Sequence, residues 1–296
     1  MSKFHMALFG AFTLAVSGIS VAGPIIIAGT DADDHGSTTA AGNLNGWLFM
    51  QKSFENIAAQ VTNGNKSVVC VGCGSGLAAS AFGAAFDKSN LVGAGWTRTT
   101  LLSTTDIASF FDGTGATNIG SVGIYYMPTD MNNVDGGISD SQISVVNSNA
   151  MLLNTFVANG GGLFAQDEQY ITGGWDWLTT LLPGIVKHAD GTQVDDNTLT
   201  ITAAGMAAFP GLTNTDVSNG TPWHSWFSGD FGGLSTLVTG PVPGGQGSVV
   251  LGGGSLTTFL CGQPGQPACP APEPATLPMV WLGLIGMAYA IRRKLK

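Results

Sequence analysis

Residues 156–165 read Phe-Val-Ala-Asn-Gly-Gly-Gly-Leu-Phe-Ala, and this stretch decides the fold. Its first residues complete an apolar stripe with steps of three and four, which begins after the capping box Ser139-Asp140-Ser141-Gln142 and predicts a helix. Gly160 stops that helix, and a short apolar strand is predicted at once over residues 162–166. A helix that turns directly into a buried strand is typical of a parallel sheet covered by helices.

The same alternation runs outward from this stretch in both directions. We therefore predict an α/β fold: an open, mostly parallel sheet with helices on both faces. Short apolar or extended runs predict strands over residues 24–29, 67–71, 121–127, 199–202, 234–239 and 248–251. Helical periodicity predicts helices over residues 45–61, 77–86, 105–111 and 175–182.

The amino terminus predicts export. Lys3 and His5 precede an apolar stretch over residues 6–16, and small residues end at Ala22. This order is typical of a signal peptide over residues 1–22, with Gly23 as the first residue of the mature chain. The alternative is an uncleaved signal anchor.

The carboxyl terminus predicts a membrane tail. A Pro/Gln-rich linker over residues 263–275 separates the exported domain, residues 23–262, from a tail over residues 276–296. Its apolar run, residues 277–291, reaches about 22 Å as a helix, and basic side chains can extend it toward the roughly 30 Å of a bilayer's hydrocarbon. A basic end stays cytoplasmic, so the rest of the chain is expected outside.

This tail resembles the PEP-CTERM sorting signal of exported bacterial proteins. The matching parts are a Pro-Glu-Pro element, an apolar segment and a basic end. The resemblance implies recognition by an exosortase, anchoring in the inner membrane before processing, and a final place at the cell surface or outside it. A plain single-span anchor is the alternative. The sorting residues that it implies are Pro272, Glu273, Pro274, Arg292, Arg293 and Lys294.

The net negative charge of the exported part limits the classes of molecule that it can bind. The whole chain carries a net charge of −9, but residues 23–272 hold 18 acids against five bases, a net charge of −13. Such a surface repels nucleic acid and favours multivalent cations. Trp223, Trp226 and Phe227 are candidates for stacking on an extracellular polysaccharide, with plain core packing as the alternative.

Residues 156–165 also resemble the helix, glycine turn and strand of glutamine-amidotransferase-like flavodoxin folds. The segments 209–212 and 222–224 extend the resemblance toward the closing strands. That family uses a cysteine nucleophile after a central strand and a histidine base. His224 matches the histidine, but Gln166, Asp167 and Glu168 follow the strand here, so no catalytic residue is assigned.

Acidic residues follow several predicted strands. Asp31, Asp33, Asp34 and His35 come after the first; Asp130 and Asp135 follow the third, and Asp167 and Glu168 the fourth. In a parallel sheet these loops share the carboxyl edge, and His35 and His224 could lie close together at the same edge. Gathered carboxylates suit a hard cation such as Ca²⁺ or Mg²⁺, and Asp31, Asp34 and Asp167 are the candidate ligands. The alternative is that these side chains cap helices and make turns.

Four cysteines are present in a chain expected to be oxidised outside the cell. Cys261 and Cys269 flank a Gly/Pro/Gln loop and are expected to pair. Cys70 and Cys73 are left as a local bridge, a redox pair or two buried thiols.

Two functions follow from different classes. The first is a non-catalytic exported surface or matrix protein that binds a cation or glycan. The second is an exported metal-dependent hydrolase that uses the strand-edge carboxylates, with His224 as general base.

Overall fold

A computed structural model describes residues 22–167, 174–188, 198–220 and 223–253. The predicted signal peptide, apart from Ala22, lies outside the described residues, as do the whole linker region and the tail with its sorting residues. The expected Cys261–Cys269 pair also lies outside them. Within the described ranges, no helix has both the length and the apolar character needed to cross a membrane.

The described residues form twelve strands and eight α-helices. The strands are β1 (Ile25–Ala28), β2 (Gly36–Thr38), β3 (Asn43–Asn45), β4 (Ser67–Val71), β5 (Thr97–Leu101), β6 (Ile124–Met127), β7 (Gly162–Gln166), β8 (Ile185–His188), β9 (Thr200–Ile201), β10 (Trp226–Gly229), β11 (Ser235–Val242) and β12 (Gly245–Gly252). The helices are α1 (Gly46–Ala58), α2 (Leu77–Asp87), α3 (Thr104–Asp112), α4 (Asp140–Ser148), α5 (Ala150–Ala158), α6 (Asp176–Leu181), α7 (Ala203–Ala208) and α8 (Asn214–Ser218).

One half of the main sheet is parallel, in the order β5-β4-β6-β7-β1. All four residues of β1 are fully buried, because helices cover both faces. Ile25 and Ile27 face a core shared with α3 to α6, whereas Ile26 and Ala28 face a core shared with α1 and α2. The predicted α/β architecture, with helices on both faces of a mostly parallel central sheet, is confirmed.

The other half of the sheet is antiparallel. β12 pairs with β1, β10 and β11, and the sheet continues through β8 and β9. Residues 243–244 form a two-residue turn between β11 and β12, which can only join antiparallel neighbours. The sequence predicted strands at β9, β11 and β12 but did not predict β8 or β10.

The helix predicted from Ser139 to Gly160 is two helices, α4 and α5, divided at Asn149. The Asn149 side chain donates from Nδ2 to the carbonyl oxygen of Val145, at 2.8 Å. A side chain that competes for a helical carbonyl in this way disturbs the backbone ladder. The apolar stripe continues across the break, which is why its periodicity did not reveal it.

The junction of the two halves positions the site. Val250 of β12 pairs with Ala28 of β1, whereas Ser248 pairs with Phe227 of β10, so β10 continues the row that β1 begins. At the join, the backbone N–H groups of His224 and Ser225 donate to the carbonyl oxygen of Gly29, at 2.9 and 3.0 Å. A Cβ on Gly29 would lie 1.9 Å from the Ser225 oxygen, so only glycine allows this approach.

Candidate functional site

Asp31 is the centre of a polar cluster at the carboxyl edge, where β1, β6 and β7 end. Its side chain is 1% exposed. His224 Nε2 lies 2.9 Å and His35 Nε2 3.1 Å from the same carboxylate oxygen, Oδ2. We call Asp31, His35 and His224 the Asp31 cluster; one candidate ligand atom from each lies within 4.8 Å of the others.

Different parts of the chain bring the two histidines to Asp31. A turn closed by the hydrogen bond from Asp34 N–H to the Asp31 carbonyl, at 2.9 Å, returns His35 toward the carboxylate. His224 arrives from the other half of the sheet, just before β10. Asn133, in the loop after β6, adds a third contact: its Nδ2 donates a hydrogen bond of 2.7 Å to Asp31 Oδ2.

The cluster is arranged to keep Asp31 ionised. Burial by itself would raise the pKa of Asp31, but the hydrogen bonds from His224 and His35 outweigh it and hold that pKa well below its usual range. In turn, the hydrogen bond to Asp31 raises the pKa of His35. The site therefore combines a buried carboxylate anion with imidazoles that take up protons or, when deprotonated, offer nitrogen lone pairs.

Asp33 anchors the loop after β1 through buried hydrogen bonds. Its carboxylate is fully buried and accepts hydrogen bonds from both the N–H and the hydroxyl of Thr129, and its carbonyl accepts one from Trp47 Nε1 at 3.0 Å. Burial raises the pKa of Asp33 to about 6. Asp33 thus ties the loop after β1 to the loop after β6 and holds Asp31 in register with Asn133.

The three predicted calcium ligands are distributed differently from the expectation. Asp31 is central, but its described partners are two histidines and an asparagine. Asp34 is half-buried, 4.0 Å from His35 Nε2. Asp167 is buried and pairs with Lys187, whose Nζ lies 2.7 Å from Oδ2. The two histidines that were expected to meet at this edge do so.

The donor set of the Asp31 cluster indicates a different metal from calcium. One carboxylate oxygen with two imidazole nitrogens suits Zn²⁺ and other transition metals, whereas Ca²⁺ prefers a shell of oxygens. Asn133 has room to contribute its amide oxygen, since the two ends of an amide have the same shape and exchange by a flip. The sequence signal that pointed here was His35 close after the strand-end acids; nothing local linked His224 to Asp31.

Cys70 and Cys73 form a local disulfide, one of the three arrangements left open by the sequence. Both residues are fully buried, at the end of β4. A redox pair needs an exposed, activated thiol, so burial favours a structural role.

The aromatic residues around His224 pack mainly inward. Trp223 and Phe227 are buried in the two cores, and the ring of Trp226 stacks on His188 with 3.7 Å between centroids. Trp223 and Phe227 therefore serve core packing, the alternative to a polysaccharide platform.

Comparison with known proteins adds no relative. No family model, no curated protein and no solved structure matches this chain.

Proposed function

We propose that the chain is an exported bacterial surface protein whose α/β domain binds a divalent transition-metal ion, with Zn²⁺ as the best-fitting ion, through Asp31, His35 and His224. One observation carries the metal assignment: two imidazole nitrogens from distant parts of the chain converge on a single buried carboxylate oxygen. A local turn brings His35 to Asp31, but only the tertiary structure brings His224 to the same oxygen. A binding role at the cell surface, without catalysis, is the function that we infer.

Distances within the Asp31 cluster are compatible with that role. Ligand atoms around a tetrahedral Zn²⁺ with bonds of about 2.0–2.1 Å lie roughly 3.3 Å apart. The two nitrogen–oxygen distances, 2.9 and 3.1 Å, are slightly shorter, as expected when a hydrogen bond replaces the ion. A small outward movement of two side chains would open the site.

Zinc affinity tests the assignment. We would titrate the full chain, purified in mild detergent, with Zn²⁺ in competition with a chromogenic chelator. His35→Ala and His224→Ala should each weaken Zn²⁺ binding by at least about a hundredfold, because each removes one ligand from an already small set.

His188→Ala is the matched control. His188 lies in β8, where Nε2 is 2.7 Å from Ser228 Oγ, outside the Asp31 cluster. It should leave Zn²⁺ affinity unchanged. Equal affinities in the parent and in His224→Ala, or an equal loss in His188→Ala, would refute the metal role.

Export and sorting form the second part of the proposal and are supported by the terminal sequence patterns. An exosortase would recognise Pro272, Glu273 and Pro274, with the basic end at Arg292, Arg293 and Lys294 held in the cytoplasm. Intact-mass measurement of the surface-exposed protein should find Gly23 as its first residue. Replacing the Pro-Glu-Pro element by alanines should trap the chain in the membrane, whereas a plain anchor would be unaffected.

A glutamine-amidotransferase-like flavodoxin core is the finer fold that we propose. The parallel order β5-β4-β6-β7-β1, with helices on both faces, supports it. The antiparallel half and the absence of a cysteine at residues 166–168 argue against carrying over the family's chemistry.

A metal-dependent hydrolase is the second candidate function. The observation in its favour is the number of protein ligands, since three leave a fourth position for a water that Zn²⁺ would activate. Zinc-dependent hydrolysis of a nitrophenyl ester panel, lost in His224→Ala but kept in His188→Ala, would establish it. Zinc binding without such turnover would favour the non-catalytic role.

A further inference from the structure

A second polar site lies beside the first at the carboxyl edge. Between the ends of β6 and β7, a small cleft is lined by both polar and apolar side chains. We call it the β6–β7 cleft. Its polar lining is Asp130, Gln166 and Asp167; its other lining residues include Met127, Ile138 and Trp175.

Two oxygen atoms in this cleft are buried without compensation. Among the described residues, neither Asp130 Oδ2 nor Gln166 Oε1 has a hydrogen-bond partner. Both side chains are at least 97% buried, at 3% and 1% exposed. A buried acceptor that has lost water costs about 1–3 kcal/mol unless something replaces the water.

The remaining atoms of both side chains are held in place. Asp130 Oδ1 accepts from the Asn132 N–H, and Gln166 Nε2 donates to the Tyr126 hydroxyl at 2.7 Å. Gln166 lines the cleft, and among the described residues its Oε1 has no hydrogen-bond partner. With the Gln166 amide in this orientation, both unsatisfied oxygens belong to side chains that a second hydrogen bond holds in place.

Charge and size limit the occupant. Two carboxylates, those of Asp130 and Asp167, line the cleft, and the ammonium group of Lys187 pairs with Asp167 alone. The cleft therefore keeps a net negative charge. The space holds about one water-sized particle, too little for a sugar or an amino acid. A small cation coordinated by oxygen atoms meets both limits.

We propose that the β6–β7 cleft binds a hard divalent cation, with Ca²⁺ as the fitting ion, through Asp130, Gln166 and Asp167. Carboxylate and amide oxygens are the ligands that Ca²⁺ prefers, and waters can complete its shell of six to eight. This site uses oxygen donors alone, so its ion differs from that of the Asp31 cluster. The expectation that Asp167 is a calcium ligand thus reappears with different neighbours.

A neutral Asp130 is the rival explanation. Burial, with the charges of Asp140 and Asp167 nearby, raises the pKa of Asp130. A protonated Asp130 would be able to donate to a neighbouring acceptor, so that no ion is needed. The two explanations predict opposite effects of adding a negative charge to the cleft.

Calcium binding by the full chain, in mild detergent, separates them. We would measure Ca²⁺ affinity by calorimetry and follow Tb³⁺ as a luminescent substitute, excited through Trp175 in the cleft wall. Asp130→Asn should weaken Ca²⁺ binding at least tenfold, and Gln166→Glu should tighten it about tenfold. Trp175→Phe should lower Tb³⁺ emission without changing Ca²⁺ affinity.

Asp140→Asn is the matched control, because it removes the same charge from an exposed position near the cleft. It should change Ca²⁺ affinity less than twofold. Circular dichroism would establish that each variant is folded. Failure of the parent to bind Ca²⁺, equal affinities in the parent and Asp130→Asn, or destabilisation by Gln166→Glu that Ca²⁺ does not reverse, would each overturn the proposal.

Discussion

Asp31 and Asp130 are buried carboxylates at the same edge of one sheet, but their surroundings have opposite effects. His224 and His35 hold the pKa of Asp31 low despite burial, and Asn133 donates to the same carboxylate oxygen. Each carboxylate leaves one oxygen without a described partner, Asp31 Oδ1 and Asp130 Oδ2, but the hydrogen bonds to Asp130 come from Asn132, and burial raises its pKa. Burial is common to both, so the neighbours decide whether the charge is satisfied within the protein.

This difference determines which ions each loop can take. The Asp31 cluster supplies nitrogen ligands and its own positive charge when protonated, so an ion must compete with protons. The β6–β7 cleft supplies oxygen ligands and retains negative charge, so a cation would balance that charge. Four predictions test the comparison, from the largest expected effect to the smallest.

Replacing Asp31 by alanine should have the largest effect. His35, His224 and Asn133 would lose their shared acceptor, and breaking such a buried group typically costs about 3–5 kcal/mol of the free energy of unfolding. Urea unfolding at neutral pH measures the loss. Asp34→Ala, at a half-buried position, should cost less than about 1 kcal/mol; equal losses would remove the distinction between the two positions.

Asp33 should make stability depend on pH between about 4 and 6. Its pKa is about 6 in the folded state, against about 3.9 when unfolded, so the folded state binds the extra proton in this window. The contribution of Asp33 to stability is therefore greatest below pH 4 and falls by about 2 kcal/mol as the pH rises from 4 to 6.

Asp33→Asn should flatten this fall, because an amide carries no charge and keeps an acceptor for Thr129. The measurement is the free energy of unfolding from pH 4 to pH 7. Asp176→Asn, at an exposed position, is the control and should keep the slope of the parent. A parent curve without the fall would show that Asp33 stays ionised.

Zinc binding to the Asp31 cluster should strengthen as the pH rises. Because the pKa of His35 is raised above 6.5, its proton must leave before the nitrogen can bind a metal. Affinity should increase about tenfold per pH unit, or about 1.4 kcal/mol, below that pKa. Calorimetry in buffers of different ionisation enthalpy counts the released protons; His35→Ala should release about one fewer, and an unchanged count would exclude His35 as a ligand.

Lys187→Gln should change both the free energy of unfolding and the free energy of Ca²⁺ binding by about 1 kcal/mol. Asp167 would lose its partner, so stability without calcium should fall, while Ca²⁺ binding should tighten up to tenfold. Thermal unfolding with and without Ca²⁺ measures both changes. Lys88→Gln, at an exposed position, should change neither, and an equal response in both variants would indicate general charge effects.

Much of the fold could be predicted from local sequence. The apolar run at β1 and the helix, glycine turn and strand around Gly160 each satisfy a local pattern, because burial on both faces requires continuous apolar residues. β2, β3, β5, β8 and β10 were missed, since strands such as Thr97–Leu101 are polar and partly exposed. Their existence depends on backbone pairing with a neighbour, which leaves little trace in the residues themselves.

The candidate site divides along the same line. The sequence by itself determined that acids end the parallel strands, because those loops share one edge of the sheet whatever their detailed path. Only the tertiary structure decided that His224 contacts Asp31 and that Lys187 pairs with Asp167, because His224 and Lys187 both lie in the antiparallel half of the sheet. Side chains far apart in the chain meet through strand register, and no local pattern encodes a register between distant strands.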